Sequence, residues 1–509
     1  MKKVFFNHNT ENERKPREVT RSSAVFYFRC DQVMKTEIHY LNYWRIKRGL
    51  SDIKRCITLR NLDGQKIKSF EDTVVQLGAH VIDISLLIKK NNIQYSEGSI
   101  EIEFFSTNNL FIAYPAAVVR YFGKDWHTVA HSSQRYFHST SGDENFEGIG
   151  LSTEGNLTIQ AGENIRPFLI IHNGAKLIES PELFFTVIAP EGKELSIKSM
   201  QSTWKPFETR LIYLDEVLDY QNFLQGGYGT YKVEMPTSGI FPRLIGGCER
   251  GGVWSIDHTN FASTTGNAAK DTFKVDKKEP EKSLIFTLPN NTEDKWSCFI
   301  DVYPTFPDGP DYNIILKTID SDGQSTIINN IKCSKKETQR FKRIDIENNL
   351  IDKESNVELS FQNDHELPRR FHLGIHYKIG DGLPGFLTDG PLPYSTEGVR
   401  ARWFPIFDMK NCQNFLLLSH RTLAGDIATN VNFDAVLYNS FGNDPIKTTI
   451  SLDTYRQKCI RIKDAFPDIE AYLKNRPGWV YMTSAVKQRS VIHYASVMGE
   501  NSIAVDHAF

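Results

Sequence analysis

A single order of landmarks runs through these 509 residues four times, at intervals of about 110–130 residues, and a repeat of that length leaves few folds open. The first landmark is a strand-turn-strand pattern. It reads Ile57-Thr58-Leu59 before Asp63-Gly64, Phe185-Thr186-Val187-Ile188 before Glu191-Gly192, Ile314-Ile315-Leu316 before Asp322-Gly323, and Ala435-Val436-Leu437-Tyr438 before Gly442-Asn443-Asp444. An alternating stretch follows each time, at 81–84, 211–214, 343–346 and 460–462, then a turn and a further strand at 98–102, 229–233, 356–359 and 478–482. Each segment closes on a glycine-bearing strand and a polar end. The ends are Gly123, Trp126 and His131; Gly246-Gly247, Trp254 and Asp257-His258; Gly374, Gly380 and Asp389; and Gly499 with Asp506-His507.

Apolar and polar residues alternate with period two in short runs rich in Val, Ile, Tyr and Phe, which is the signature of half-buried strands. The Asp-Gly and Glu-Gly pairs suit the left-handed backbone of tight hairpins. Several short strands per unit of this size predict an all-β chain of four tandem, diverged β-sandwich repeats, immunoglobulin-like or jelly-roll-like, with little helix. Only 85–90 and 469–473 read as a helical turn or two. The spacing is too long for a solenoid or propeller blade, so each repeat is expected to own its core. The boundaries expected are a polar N-terminal arm at 1–19, repeats at 20–140, 155–262, 283–396 and 400–509, and a linker at 263–282 carrying Lys277-Lys278-Glu279-Pro280-Glu281-Lys282.

Apolar residues at 40% suffice to fill such cores. Sixty basic against 62 acidic residues leave a net charge of -2, which excludes a globally basic nucleic-acid binder. The stretch Arg45-Ile46-Lys47-Arg48, with Lys54-Arg55 near it, reads as a solvated face, so no nucleic acid is expected as partner. No apolar run reaches the roughly 18–20 residues of a membrane-spanning helix. The opening Met1-Lys2-Lys3-Val4-Phe5-Phe6 has too short an apolar stretch for a signal peptide, so a cytoplasmic location is expected. The seven cysteines form no CxxC and fall at different landmarks in different repeats, which predicts reduced thiols.

The most suggestive chemistry is the pair Asp257-His258, matched by Asp506-His507, with His131 and Asp389 at the same place in the first and third repeats. An imidazole beside a carboxylate can act as base, ligand or hydrogen-bond hook. Neighbours on a strand point to opposite faces, so the two cannot aim at one ligand without a bulge or turn. The alternative is that Asp-His followed by Phe closes the last strand, with Phe137, Phe261 and Phe509 in the core. His127 with His131, and His372 with His376, are four apart and on strands too far separated for one metal. Asp320-Ser321-Asp322-Gly323 lacks the later acidic ligands of a calcium loop. Gly246-Gly247-Cys248-Glu249-Arg250-Gly251-Gly252 lacks the ending of a phosphate loop. No cofactor loop or complete metal set is visible, and none is expected.

Aromatics offer another route, because a ring face can stack on a sugar. Trp126 and Trp254 sit at matching positions, and Trp44, Trp204, Trp403, Tyr213, Tyr220 and Tyr228 are further groove-lining candidates. The function expected is thus non-enzymatic binding or scaffolding, with a glycan or another protein as ligand. Its surface would be Trp126, His131, Arg135, Trp254, Asp257 and His258. The runner-up is an enzyme in which Asp257, His258, Asp506 and His507 converge between repeats. A third reading is a structural subunit of a larger assembly, which would form oligomers.

Overall fold

The computed structural model describes residues 18–131, 133–141, 143, 149–190, 192–261, 272–275, 281–288, 296–304, 310–334, 341–346, 355–368, 371–390, 392–393, 399–421 and 430–509. Most of the expected arm (1–17) and linker (263–271, 276–280) lies outside the described residues. Strands hold 58% of the chain and helices 8%, so the chain is all-β with little helix.

The same eight-strand plan recurs four times. Repeat 1 comprises β1 (Arg21–Arg29), β2 (Lys35–Leu41), β3 (Lys54–Arg60), β4 (Lys66–Thr73), β5 (Ala79–Asp83), β6 (Glu97–Phe105), β7 (Ala117–Phe122) and β8 (His127–Ala130). Its sheets run β1-β6-β3-β4 and β5-β2-β7-β8, all antiparallel. Repeat 2 comprises β9 (Gly150–Gln160), β10 (Ile165–His172), β11 (Glu182–Ile188), β12 (Glu194–Met200), β13 (Thr209–Tyr213), β14 (Tyr228–Thr237), β15 (Ile245–Arg250) and β16 (Val253–His258). Repeat 3 comprises β17 (Glu281–Phe286), β18 (Trp296–Val302), β19 (Tyr312–Ile319), β20 (Ser325–Cys333), β21 (Lys342–Ile346), β22 (Asn356–Gln362), β23 (Leu373–Ile379) and β24 (Gly385–Asp389). Both repeats pair their strands in the order of repeat 1.

Repeat 4 keeps the order with one change. Its strands are β25 (Val399–Ile406), β26 (Cys412–Arg421), β27 (Val431–Tyr438), β28 (Ile446–Leu452), β29 (Gln457–Arg461), β30 (Gly478–Met498) and β31 (Ser502–His507). The 21-residue β30 serves as sixth strand in one sheet and seventh in the other, fusing what the other repeats keep apart. The hairpin between third and fourth strands carries a glycine with positive φ in every repeat: Gly64 at 80°, Gly192 at 77°, Gly323 at 79° and Gly442 at 76°. Those four glycines are the Asp-Gly, Glu-Gly and Gly-Asn landmarks of the sequence, and only glycine takes that backbone without a steric cost. The fifth strand runs into a short helix in repeats 1 and 4, α1 (Ile84–Lys90) and α2 (Ile462–Ala465), and Ile469–Leu473 forms one more turn.

The chain divides into two compact units, Met1–Ala189 with Lys193–Ala268, and Pro190–Gly192 with Ala269–Phe509. Within each, two repeats share buried surface, which corrects the expectation that every repeat owns its core. In the second unit the core of repeat 3, including Trp296, Ile300 and Phe361, runs on into Phe415, Leu417, Ala495, Val497, Ile503 and Val505 of repeat 4. The cause is legible in β26, where Phe415-Leu416-Leu417-Leu418 are all wholly buried. A strand covered on both faces loses the polar half of its alternation. In the first unit Val25, Tyr136 and Ile240 form a small apolar cluster that joins repeats 1 and 2. The fourth strands, β4 and β12, lie on outer edges and are mostly exposed, with lysines and hydroxyls that discourage edge-to-edge pairing.

Candidate functional site

The residues singled out by the sequence lie where the chain changes sheets. After its eighth strand each repeat crosses to pair with its own first strand. Gln134 accepts a bond from Val25 of β1, Asn260–Phe261 pairs with β9, Leu392–Pro393 pairs with β17, and Phe509 exchanges two backbone bonds with Trp403 of β25. His131, Asp257-His258, Asp389 and Asp506-His507 occupy these four corners.

Three of the corners are built alike. Asp257 Oδ1 accepts the backbone N–H of His258 at 2.7 Å, and Asp506 Oδ1 accepts that of His507 at 2.7 Å. Asp389 Oδ1 accepts the N–H of Gly390, also at 2.7 Å. His258 Nδ1 lies 2.9 Å from the carbonyl of Thr259, and His507 Nδ1 lies 3.3 Å from that of Ala508. A carbonyl only accepts, so each Nδ1 carries a proton, and in the neutral imidazole Nε2 is the nitrogen that offers a lone pair. The strand-alternation objection to Asp-His thus fails at a strand end, where the carboxylate folds back on its neighbour.

In the first unit β8 and β16 pack together, with Thr128 Oγ1 accepting the N–H of Ile256 at 3.1 Å. This brings His131 of repeat 1 edge-on to His258 of repeat 2, ring centroids 4.6 Å apart at 80°. One potential ligand atom each from His131, Asp257 and His258 falls within 4.8 Å of the others, and the three residues are only 8%, 2% and 4% exposed. Beneath them the Thr259 hydroxyl donates to Glu154 Oε2 at 2.5 Å. Burial pushes the Glu154 carboxyl up to about 8, against the pull of that bond.

In the second unit Asp389 takes the place of His131. Its Oδ2 lies 3.2 Å from Nε2 of His493, which stands opposite His507 in the β30–β31 pairing. Burial opposes ionisation of Asp389, but His493 and then His507 hold the carboxyl below its usual range. Asp506 is 1% exposed.

The aromatic expectation requires correction. Trp126, Trp254, Trp44, Trp204, Trp403 and Tyr220 are buried, and Tyr213 and Tyr228 are half-buried, so the indoles present no free face to a sugar. Trp254 packs against Phe168 of its own repeat and against Tyr27 and Tyr121 of repeat 1, at 4.4, 6.0 and 5.4 Å between centroids. Trp126 lies over Gly123 in the β7–β8 hairpin. A Cβ at Gly123 would stand 2.2 Å from Trp126 Nε1 and 2.8 Å from the Val33 carbonyl. Gly123→Ala is therefore expected to cost about 1–3 kcal/mol by overpacking, read as a lower urea midpoint. Arg135 is held two-pronged by Asp143 at 2.7 and 2.6 Å, in a short strand pair that joins repeats 1 and 2. Phe137 and Phe509 are half-buried rather than core residues, and the Phe261 side chain lies outside the described residues.

Two buried charge clusters escaped the sequence reading. Glu37 on β2 contacts His39 at 3.1 Å and Arg120 at 3.4 Å, and Arg120 Nε donates to His127 Nδ1 at 3.3 Å. Asp301 on β18 is gripped by Arg343 with two bonds of 2.8 Å and by His376 at 3.0 Å. Burial opposes ionisation of Asp301, but His376 and Arg343 prevail and hold it at about 2. His127 and His376 are thereby engaged inside sheets. Glu37 and His39 share β2, but the arginines that complete each cluster come from other strands, so no spacing signals them. At the end of repeat 3 a polar cleft of about 350 Å³ is lined by Glu281, Asp311, Lys332, Gln362, Asn363 and Asp364, none of them a predicted site residue.

None of the seven cysteines is in a disulfide, and among the described residues no helix is long and apolar enough to cross a membrane. No protein-family model matches the chain, and no curated protein matches it. Among solved structures it is similar to one described as "Crystal structure of tetra-tandem repeat in extending region of large adhesion protein", at 7% identity over 96% of this chain and 98% of that one. The TM-score is 0.10, too low to add anything to the fold described above.

Proposed function

We propose that the protein is a non-enzymatic binding or scaffolding protein whose ligand is an acidic segment of another protein. The observation that carries this reading is an exposed patch in repeat 1 that is at once apolar and basic. The helical turn Tyr43–Arg48 carries Arg45, Lys47 and Arg48 and has no acidic residue in its first turn. Two loops are tied to that turn. Asn42 Nδ2 donates to the carbonyls of Val74 and Gln76, each at 3.3 Å, Arg45 donates to that of Val75, and Trp44 Nε1 donates to that of Leu110 at 3.2 Å.

The loops hold Val75, Leu77, Phe111 and Tyr114 outward, at 66%, 41%, 53% and 54% exposure. Phe111 adopts φ 69°, a backbone that costs a non-glycine residue energy and is found where structure serves a task. The Arg48 guanidinium sits 4.2 Å over its ring. Aromatic residues and arginine dominate binding hot spots, and a basic rim selects an acidic partner. His131, Arg135, Asp257 and His258 lie under a tenth exposed and the tryptophans are packed, so the surface expected from the sequence offers little to a ligand.

The test is an array of acidic peptides bearing aromatic residues, probed beside a glycan array. Wild type should retain peptides, and Lys47→Glu with Arg48→Glu should weaken that retention about tenfold or more, with added salt acting in the same direction. Retention of glycans and of no peptide would overturn this reading in favour of a sugar ligand.

A further inference from the structure

We propose that His131, Asp257 and His258 form a site for a divalent transition metal of the zinc class, which clamps repeat 1 to repeat 2. The donor set is two imidazoles and one carboxylate, the combination that zinc and its neighbours in the first transition row accept with a fourth position left to water. One potential ligand atom from each residue lies within 4.8 Å of the other two. A tetrahedral ion with bonds of about 2.1 Å needs its donors about 3.3 Å apart, so movements of under about 1 Å complete the shell.

Two of the three donors are held by hydrogen bonds. Thr259 accepts the Nδ1 proton of His258 at 2.9 Å, which turns Nε2 into the donor, and a second partner of this kind is the usual companion of a ligating histidine. Thr259 is itself anchored to Glu154 at 2.5 Å. Asp257 engages the His258 N–H through Oδ1, which anchors a carboxylate with an oxygen within 4.8 Å of the imidazole donors. The carboxylate supplies the charge that favours a cation in a site only a few per cent exposed.

The geometry also says what the ion would do. His131 follows the last strand of repeat 1, and Asp257-His258 end the last strand of repeat 2. The contact between β8 and β16 is therefore where an ion would tie two sandwiches together. The site is independent of the basic patch on repeat 1, and neither proposal needs the other.

The experiment uses the full chain, stripped with chelator and titrated with Co²⁺. Expected are one saturable equivalent per chain, a visible d–d band of low-coordinate cobalt, its loss on adding Zn²⁺, and a rise in Tm on loading. His131→Ala and His258→Ala should weaken Co²⁺ binding about a hundredfold, whereas the exposed His138→Ala should not. Asp257→Asn preserves the Oδ1 acceptor, so it keeps the corner folded while removing the charge. It should bind Co²⁺ more weakly with an unchanged circular dichroism spectrum. Absence of a saturable equivalent, or binding unaltered in both histidine variants, would overturn the proposal.

Discussion

Trp254→Ala is expected to lower the stability of the first compact unit by about 4 kcal/mol, the cost of emptying a fully packed indole site. Trp254 is 2% exposed and stands at the meeting of two repeats. Its ring packs on Phe168 at 4.4 Å, on Tyr121 at 5.4 Å and on Tyr27 at 6.0 Å, with the last two contributed by repeat 1. Its Nε1 also donates to Glu249 at 3.1 Å, a carboxylate that Tyr213 bonds as well. Truncation removes apolar contact from both sandwiches at once and leaves Glu249 with one donor fewer. Urea unfolding followed by circular dichroism should show a lower midpoint with an unchanged slope, since the same surface is exposed on unfolding. A loss below about 1 kcal/mol would mean that the ring is not packed as described.

Stability of the first unit is expected to be highest between about pH 4.5 and 6.5 and to fall on both sides for different reasons. Glu154 ionises near 4.5 when unfolded, and burial raises it to about 8 when folded. The stability linked to its neutral form is whole below 4.5 and is lost as pH rises towards and through 8, in all on the order of 5 kcal/mol. His172 and His80 act in the opposite sense. Burial lowers them to about 3 and about 4 from an ordinary 6.5, so the unfolded chain takes up protons first as pH falls. Their contribution is whole above 6.5 and drains away below it.

Between 4.5 and 6.5 the two histidines oppose Glu154 and Glu101, the latter raised to about 7 by burial and the neighbouring Glu103 charge, and above 7 Glu154 acts alone. Glu154→Gln keeps an acceptor for the Thr259 hydroxyl and removes the titration. It should remove the loss of about 1.4 kcal/mol per pH unit between 7 and 8, and make stability rise more steeply with pH between 4.5 and 6.5 by the same amount, since the two histidines then oppose Glu101 alone. Denaturant midpoints measured from pH 4 to pH 9 check this. An alkaline limb equally steep in the variant would sink the assignment.

Repeat architecture was open to reading because each landmark is a local device. Asp63-Gly64 or Asp322-Gly323 forms a hairpin whatever surrounds it, since the glycine alone accepts the φ near 80° that the turn demands. The corner dipeptides were visible for the same reason: they end a strand, and an ending is a local event. The pairing of repeats was not visible. Phe415-Leu416-Leu417-Leu418 reads as an unusually apolar strand, but only packing shows that Phe415 and Leu417 belong to the core of the neighbouring repeat. Trp254 misleads similarly, because an indole filling an interface and one offered to a sugar look the same in a string of letters.

The sequence by itself determined strands, turns and their fourfold order, because these depend on side-chain alternation and backbone preference within a few residues. Only the tertiary structure decided which side chains meet. His131 and His258 stand 127 positions apart and come together because two sandwiches share a face. Glu37 finds Arg120, and Asp301 finds Arg343 and His376, through strand neighbours that sheet order alone supplies. Contacts of that kind follow from removing the most apolar surface from water over the whole chain, and no local pattern encodes it.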